Sequence, residues 1–186
     1  DTLSVKAGAE ITVFEADGVD INQIWSTSQS PITVLAGGDL ALNADISTSG
    51  HAIDLRASVG ALTLNGVLST GGGSVSLQAA SGVTLTELSG VTTQGGTVVV
   101  DAGDAALLMA KFAVIDASGG ALHLAAGGLM TLGTVKTSYA GVVNIAAGGL
   151  VGQAASDVDI WAPNAELVLV SSAGVGSAAT PLSTQV

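Results

Sequence analysis

The sequence predicts an all-β protein: a right-handed parallel β-helix (β-solenoid) of about eight coils of roughly 22 residues, with three short strands per coil. The first observation is a short element, apolar-x-apolar-x-small, that recurs every 21 to 24 residues from Ile32 onward. The second is the presence of 26 glycines, which suit tight corners. The third is a chain that is 48% apolar but only 3% aromatic, so its core must stack small and branched aliphatic side chains.

The first strand of each coil carries the recurring element. Alternate residues of a strand point to the same side, so the two apolar residues face inward and stack on their counterparts about 4.8 Å away in the next coil. The small residue at the fifth position is Ala in seven copies and Ser171 in the eighth, which indicates a tight corner. The copies begin at Ile32, Ile53, Val75, Val98, Leu122, Val143 and Leu167, with a further copy upstream at Leu3.

A second and a third strand complete each predicted coil. The second is a shorter apolar pair, and the third ends near a glycine. The second-strand pairs include Leu40 with Leu42, Leu62 with Leu64, and Val83 with Leu85. The third-strand pairs are Ile46 with Thr48, Leu68 with Thr70, Val91 with Thr93, Ile115 with Ala117, and Val135 with Thr137.

Two other fold classes compete with the solenoid. Helices are disfavoured because glycine pairs recur too often, and because the β-branched residues alternate instead of following a helical period. An antiparallel sandwich is the remaining alternative, although it does not predict the same small residue at the same phase of every period. The usual preference of parallel crossovers favours the right-handed form of the solenoid.

The chain is predicted to be a single solenoid segment over residues 1–186. Residues 1–31 are predicted to form a longer, irregular coil with an insertion around Glu15 to Ile21, and residues 32–171 form the regular coils. Residues 172–186 are predicted to be a divergent terminal coil in which a Gly-rich passage and Pro181 replace the third strand. No polar cap is visible at either end, so we expect part of a longer rod, or a rod capped by partners.

The charge balance and the apolar runs restrict the possible partners. Four basic residues against fifteen acidic ones give a net charge of -11, which disfavours nucleic acid because phosphate binding needs Lys and Arg. The apolar runs are interrupted before they reach membrane-spanning length, so we expect no membrane insertion. The absence of cysteine rules out a disulfide framework and a thiolate metal site.

A carbohydrate-active β-helix would need several Asp residues converging on one outward face. One predicted outward column contains Thr33, Asp54, Ser76, Val99, His123, Asn144 and Val168, and the next contains Leu35, Arg56, Gln78, Asp101, Ala125, Ala146 and Val170. Neither column holds a carboxylate pair, and Asp54 with Arg56 suggests a solvated ion pair. Asp101, Asp104 and Asp116 are expected on different faces. We therefore predict no catalytic residue and no enzymatic activity.

Metal binding has one candidate segment. "EADGVD" places the carboxylates of Glu15, Asp17 and Asp20 around a glycine, and these would be calcium ligands if the loop folds back. A plain acidic turn is the simpler interpretation, and no other cofactor is expected. His51 and His123 lack a second histidine at ligand spacing.

Threonines and aromatic residues raise two further possibilities. Thr48, Thr70, Thr93 and Thr137 form a near-continuous column, as in ice-binding solenoids. Their alternation with inward residues instead predicts hydroxyls that bond to nearby backbone inside a corner. Trp25, Trp161 and Tyr139 are isolated aromatics, so a sugar-binding ladder is not expected and partial burial is the simpler interpretation.

The chain resembles the repeat regions of large bacterial exoproteins, the filamentous-haemagglutinin-like and related adhesins. The segments that carry the resemblance are "GGGSVSLQAASGVTLTELSGVTTQGG", "GGDLALNADISTSGHAIDLRAS" and, as the most distinctive part, the terminal "AGVGSAATPLSTQV". The resemblance covers essentially the whole chain, but the secretion domain of that family has no counterpart here. It implies a right-handed parallel β-helix that serves as the stalk of a secreted or surface-attached protein.

Two functions are therefore expected from the sequence. The first is an extracellular structural or adhesive stalk, or a filament-forming segment, whose partners are flanking domains of a longer polypeptide or other copies of the chain, joined end to end or laterally. Host or matrix glycans or proteins are further possible partners. The alternative is a carbohydrate-active β-helix, such as a polysaccharide lyase or hydrolase, or a glycan-binding module.

Overall fold

A computed structural model describes residues 1–138, 141–153 and 158–186. The described residues form 21 β-strands and no helix, and all the strand pairings are parallel. The coils stack as a β-solenoid of eight turns about 22 residues apart, which confirms the predicted fold class. No helix in the described part of the chain is long and apolar enough to cross a bilayer.

The strands follow the coils in chain order. The N-terminal strands are β1 (Thr2–Ala7), β2 (Ile11–Glu15) and β3 (Val19–Ser26). The next four coils contain β4 (Ile32–Ala36), β5 (Leu40–Leu42) and β6 (Ile46–Ser47); β7 (Ile53–Ala57), β8 (Leu62–Leu64) and β9 (Val67–Ser69); β10 (Val75–Ala79), β11 (Val83–Leu85) and β12 (Gly90–Thr92); and β13 (Val98–Asp101), β14 (Leu107–Met109) and β15 (Val114–Asp116). The last three contain β16 (Leu122–Leu132) and β17 (Thr134–Lys136); β18 (Val142–Gly152) and β19 (Ile160–Trp161); and β20 (Glu166–Ser171) and β21 (Thr184–Gln185).

Equivalent strands of successive coils pair to form three columns. The first column runs through β2, β4, β7, β10, β13, β16, β18 and β20, the second through β1, β3, β5, β8, β11, β14, β16 and β18, and the third through β6, β9, β12, β15, β17, β19 and β21. The first two columns form one 14-stranded sheet because β16 and β18 belong to both, and the third column forms a 7-stranded sheet. Inward residues therefore stack in register, as with Leu55, Leu77 and Val100 of the first column. These stacked aliphatic side chains make one continuous core.

In two coils, two of the expected three short strands are merged into one. In β16 and β18, eleven residues continue from the first column into the second without a break. The pairing of these two strands shifts register between Ala126 and Leu129, where Gly127 and Gly128 lie. The chain keeps its inter-strand hydrogen bonds around this corner. One long strand therefore replaces two short ones in each of these coils, but the three columns are unchanged.

The N-terminal coil corrects the predicted repeat alignment. Leu3 was expected to begin a first-column copy, but it pairs with Ile21 of β3 and so lies in the second column. Ile11 is the residue that pairs with Ile32, and their separation of 21 residues leaves no insertion around Glu15 to Ile21. Alternation marks the inward side of a strand but not its column, so the Leu3 motif looked like a first strand.

The C-terminal coil also differs from the prediction. Residues 172–186 were expected to lack a third strand, but β21 pairs with β19 through Ile160–Thr184 and Trp161–Gln185. The Gly-rich passage occupies the position of the second strand, where Val175 makes a single parallel bridge to Leu150. The last coil therefore contributes to all three columns, and Pro181 lies outside its strands.

Candidate functional site

The outward face of the first column holds a polar groove. Arg56, Gln78 and Asp101 are paired in register on β7, β10 and β13, so their side chains follow one another along the solenoid axis. They line a shallow hollow of about 170 Å³ together with Ser58, Gly103 and three alanines. This arrangement confirms that the three residues share one outward column, as the sequence predicted.

The groove continues along the axis as a smooth, uncharged surface. A second hollow of about 330 Å³ shares Gly103 with the first. Its other lining residues are Ala125, Ala126, Gly127, Ala146, Ala147, Gly148, Val170 and Ser172. The groove thus has a polar half, which carries one cation and one carboxylate, and a half made of small side chains.

The expected ion pair between Asp54 and Arg56 is not formed. In the described ranges the single ion pair joins Lys136 Nζ to Asp116 Oδ2 over 3.4 Å. Both side chains project from the outward side of β7, Arg56 exposed and Asp54 half-buried, but no nitrogen-oxygen contact of ion-pair length joins them. Arg56, the only arginine of the chain, is therefore free to contact a ligand in the groove.

The three carboxylates of the central coil lie apart, as predicted. Asp101 ends β13 in the 14-stranded sheet and accepts a hydrogen bond from the N–H of Gly103 at 2.9 Å. Asp116 lies in β15 of the other sheet, where it accepts two hydrogen bonds from Ser118 in addition to its ion pair with Lys136. Asp104 is exposed in a turn. No catalytic carboxylate pair is assembled among these residues.

The predicted calcium segment gathers two of its three carboxylates. Oxygen atoms of Glu15, Asp17 and Asp1 lie within 4.8 Å of one another, whereas Asp20 is not part of this group. Asp20 points outward from β3, where its N–H donates to the carbonyl of Asp1 at 2.7 Å. Calcium prefers six to eight oxygen ligands, and this exposed cluster supplies three carboxylates.

The histidines and the tryptophans are dispersed over the surface. His123 projects from β16 between Val99 and Asn144, and His51 lies at a corner where its carbonyl accepts the hydroxyl of Thr48 at 2.5 Å. Trp25 is half-buried beneath Lys6, whose Nζ lies 5.4 Å from the ring centroid. Trp161 is half-buried in β19 at the other end, and Tyr139 lies outside the described residues.

The threonine column faces inward, as predicted. All four side chains, those of Thr48, Thr70, Thr93 and Thr137, are buried, so they do not form an exposed array. Each hydroxyl donates to a backbone carbonyl inside the corner between the third and the first columns. Their role is therefore to satisfy corner backbone groups.

Two polar ladders were missed at the sequence level. Asn43 Nδ2 donates to Asn22 Oδ1 at 3.1 Å, and Asn65 Nδ2 donates to Asn43 Oδ1 at 2.7 Å. Asp39 and Asp45 each accept a hydrogen bond from a backbone N–H that lies 22 residues further along the chain. The signal was present, because these separations equal one coil, but polar residues were not aligned by the period.

The two end faces of the solenoid differ in how well their strand edges are protected from pairing with another strand. At the N-terminal end, β1 has a register shift between Leu3 and Ser4, and Glu15 occupies the first-column position that holds a small residue in the other coils. Bulges and inward-pointing charges of this kind prevent strand edges from pairing. At the other end, β20 pairs with β18 without a shift, and no other strand of the described residues pairs with it.

The interior columns reach both end faces. Leu3, Val5 and Val13 at one end, and Leu167 and Leu169 at the other, are only partly buried although they pack on the core. Each lacks an apolar residue stacked on its outer side. Within the described residues, the C-terminal face therefore presents a strand edge without a bulge together with partly exposed core side chains.

Comparison of the chain with protein-family models, with curated protein sequences and with solved structures returns no match.

Proposed function

We propose that this chain is a structural and adhesive segment, a stalk or a fibre-forming part of a secreted or cell-surface bacterial exoprotein, and that it is not an enzyme. The observation that carries the proposal is the unbroken stacking of apolar columns from one end face to the other. Such a stack is extended along its axis and each coil needs a neighbour to cover its core. Eight coils spaced by about 4.8 Å give a rod about 40 Å long.

Partners of the stalk follow from its surfaces. The uncovered C-terminal face suits flanking coils of a longer polypeptide or another copy of the chain, since the free edge of β20 offers backbone N–H and carbonyl groups for pairing. The net charge of -11 keeps the long sides soluble and disfavours contact with nucleic acid. Host or matrix proteins and glycans are the remaining partners of the proposal.

Electron microscopy of the native material, combined with immunogold labelling of the producing cells, tests this function. We expect label on the cell surface or on extracellular fibres, and rods whose length is that of this segment or greater. Labelling confined to the cell interior would contradict the proposed location, and compact particles without a rod would contradict the stalk.

A glycan-binding module is the second candidate, favoured by the groove along Arg56, Gln78 and Asp101. A guanidinium, an amide and a carboxylate in one line match an acidic sugar chain, because arginine pairs with carboxylates and the other two groups bond to hydroxyls. Binding of acidic polysaccharides that is lost in Arg56→Ala, but kept in a Lys6→Ala control, would support this candidate. Turnover of a polysaccharide that Asp101→Asn or Asp54→Asn abolishes would instead establish an enzyme.

A further inference from the structure

Two adjacent coils carry corner loops that their neighbours lack. Between the second and the third columns, residues 86–89 follow β11 and residues 110–113 follow β14. In the coils on either side, the same corner is turned by residues 65–66 and by residue 133 alone. The two longer loops therefore project together from one side of the solenoid.

Both loops present a large apolar side chain to solvent. Leu88 is 83% exposed and Phe112 is 62% exposed. Gly90 pairs with Val114 directly after the loops, which places Leu88 level with Phe112 on the next coil. Large exposed apolar side chains side by side mark an interaction surface, because a soluble protein gains nothing by leaving them in water.

An apolar hollow adjoins the base of these loops. It has a volume of about 350 Å³ and its lining includes Leu85, Leu108 and Met109. Leu108, which is 43% exposed, projects outward from β14 beside it. Gln153 closes the far side, where its Nε2 donates to the carbonyl of Met109 at 2.6 Å. The loops and the hollow together form one surface, which we call the loop patch.

The loop patch carries one charge of each sign. Glu87 precedes Leu88 and Lys111 precedes Phe112, so the two charges are also level on adjacent coils. They do not form an ion pair with each other within the described residues. Lys111 Nζ instead lies 5.2 Å from the Phe112 ring centroid. Among the described residues the patch is thus neutral, on a protein whose net charge is -11.

We propose that the loop patch binds a second copy of this chain, with the two solenoids antiparallel. A two-fold axis perpendicular to the solenoid axis, placed midway between the two loops, brings Leu88 of each copy opposite Phe112 of the other. The same operation brings Glu87 opposite Lys111. The patch is therefore complementary to itself in hydrophobicity and charge.

The charges distinguish this arrangement from a parallel one. In a parallel pair, Glu87 would face Glu87 and Lys111 would face Lys111, and like charges brought together are unfavourable. A second copy in the antiparallel orientation carries the opposite charge at each position that faces Glu87 or Lys111. Its charge pattern therefore matches that of the patch. The inference does not depend on the proposed stalk function. A stalk can be monomeric, and a protein without a stalk role can form this dimer.

Sedimentation velocity of the purified chain over a range of concentrations tests the pairing. We expect a monomer-dimer equilibrium, and we expect Leu88→Ser or Phe112→Ser to weaken it by about tenfold or more, as for central apolar contacts. Val59→Ser is the matched control, because Val59 is 71% exposed but lies outside the patch. A chain that remains monomeric at all concentrations, or a dimer that is unaffected by both loop variants, would overturn the proposal.

Charge exchange tests the orientation of the two copies. Glu87→Lys alone and Lys111→Glu alone should each weaken the dimer, whereas the double variant Glu87→Lys with Lys111→Glu should restore it. Restoration is expected only if opposite charges meet across the interface. Equal weakening by the double variant would contradict the antiparallel pairing.

Cysteine cross-linking gives an independent measurement, because the chain has no cysteine of its own. A mixture of Leu88→Cys and Phe112→Cys chains should form a disulfide-linked heterodimer faster than either variant alone forms a homodimer. Preferential homodimers would show a parallel pair and overturn the antiparallel geometry. Surface labelling and rod formation, which test the stalk, can succeed or fail independently of this result.

Discussion

The hydroxyl of Thr93 donates a hydrogen bond to the backbone carbonyl of Gly96 over 2.6 Å, inside the corner that joins the third column to the first. Thr70 bonds in the same way to the carbonyl of Gly73, one coil earlier. A corner has no strand partner for every carbonyl, so a buried hydroxyl three residues upstream satisfies one of them. The Thr-x-x-Gly pattern is thus a structural unit that repeats in two successive coils.

Removing this hydroxyl should destabilise the solenoid. Thr93→Val keeps the shape of the side chain but leaves the carbonyl of Gly96 without its donor, and we expect a loss of about 1 to 2 kcal/mol in the free energy of unfolding. Chemical denaturation followed by circular dichroism measures this loss. Thr92→Val is the control, because Thr92 is only half-buried on the outward side and its variant should be within about 0.5 kcal/mol of wild type. Equal effects of the two variants would contradict the corner role.

Gly96 is constrained by a close approach of backbone from the previous coil. A Cβ at this position would lie 2.1 Å from the carbonyl oxygen of Gly73, which cannot move without disturbing the stack. We therefore expect Gly96→Ala to lower the free energy of unfolding by about 2 to 3 kcal/mol or more. In Gly8→Ala the nearest atom to the new Cβ is Thr27 Oγ1 at 3.9 Å, so that variant should be nearly neutral. Thermal melts of the two variants measure this difference. An unchanged stability of Gly96→Ala would show that the coils can separate at this corner.

The sequence predicted the columns well, because each inward position is repeated once per coil. Leu77 was expected above Leu55 and below Val100, and the strand register places it there. The outward positions followed from the same alternation, so Arg56, Gln78 and Asp101 could be assigned to one face before the structure was known. Repetition supplies several observations of the same position, which a single strand does not.

The features that the sequence did not predict depend on the strand register between segments that do not repeat. Leu3 matches the pattern of a first strand as well as Ile11 does, and only the pairing of β1 with β3 distinguishes them. The proximity of Asp1 to Glu15 depends on that pairing, so the acidic group was expected to contain Asp20 instead. The exposure of Leu88 and Phe112 depends on loops that project only because the flanking coils turn more tightly.

The inward and outward sides of one strand should respond differently to the same charge. Leu77 is fully buried, so Leu77→Asp places an unpaired carboxylate in the core and should prevent folding. The neighbouring Ser76 is half-buried on the outward side, and Ser76→Asp should leave the far-UV circular dichroism and the melting temperature close to wild type. Val100→Asp and Thr33→Asp form a second pair with the same expectation. Tolerance of both members of a pair would contradict the strand register.

Calcium should have little effect on the stability of the chain. Glu15, Asp17 and Asp1 bring three carboxylates together near the surface, fewer than the six to eight oxygen ligands that calcium prefers, so binding should be weak. We expect no change in melting temperature when calcium is raised to the millimolar range that weak extracellular sites require. A rise that Glu15→Gln together with Asp17→Asn removes would show a site, and Asp20→Asn would then be the control that leaves the rise unchanged.

Asp159 holds the last two coils together and should be the most sensitive carboxylate of the C-terminal part. Its side chain is 3% exposed, Oδ2 accepts the N–H of Ser183 at 2.8 Å, and Oδ1 accepts the N–H of Gln153 at 3.1 Å. Removing this buried acceptor leaves two backbone N–H groups without their partner, so Asp159→Ala should cost about 2 to 3 kcal/mol.

The loss should be local, because the two bonds join β18 to the segment just before β21 and leave the central columns untouched. Hydrogen exchange should therefore accelerate in β19 and β21 of the variant while the amides of β10 keep their protection. Glu166→Ala is the control, because it removes an exposed carboxylate from the same end. It should leave hydrogen exchange unchanged in β19, in β21 and in β10. Acceleration spread evenly over all coils would indicate that the solenoid unfolds as one cooperative unit and that Asp159 does not stabilise the last coil selectively.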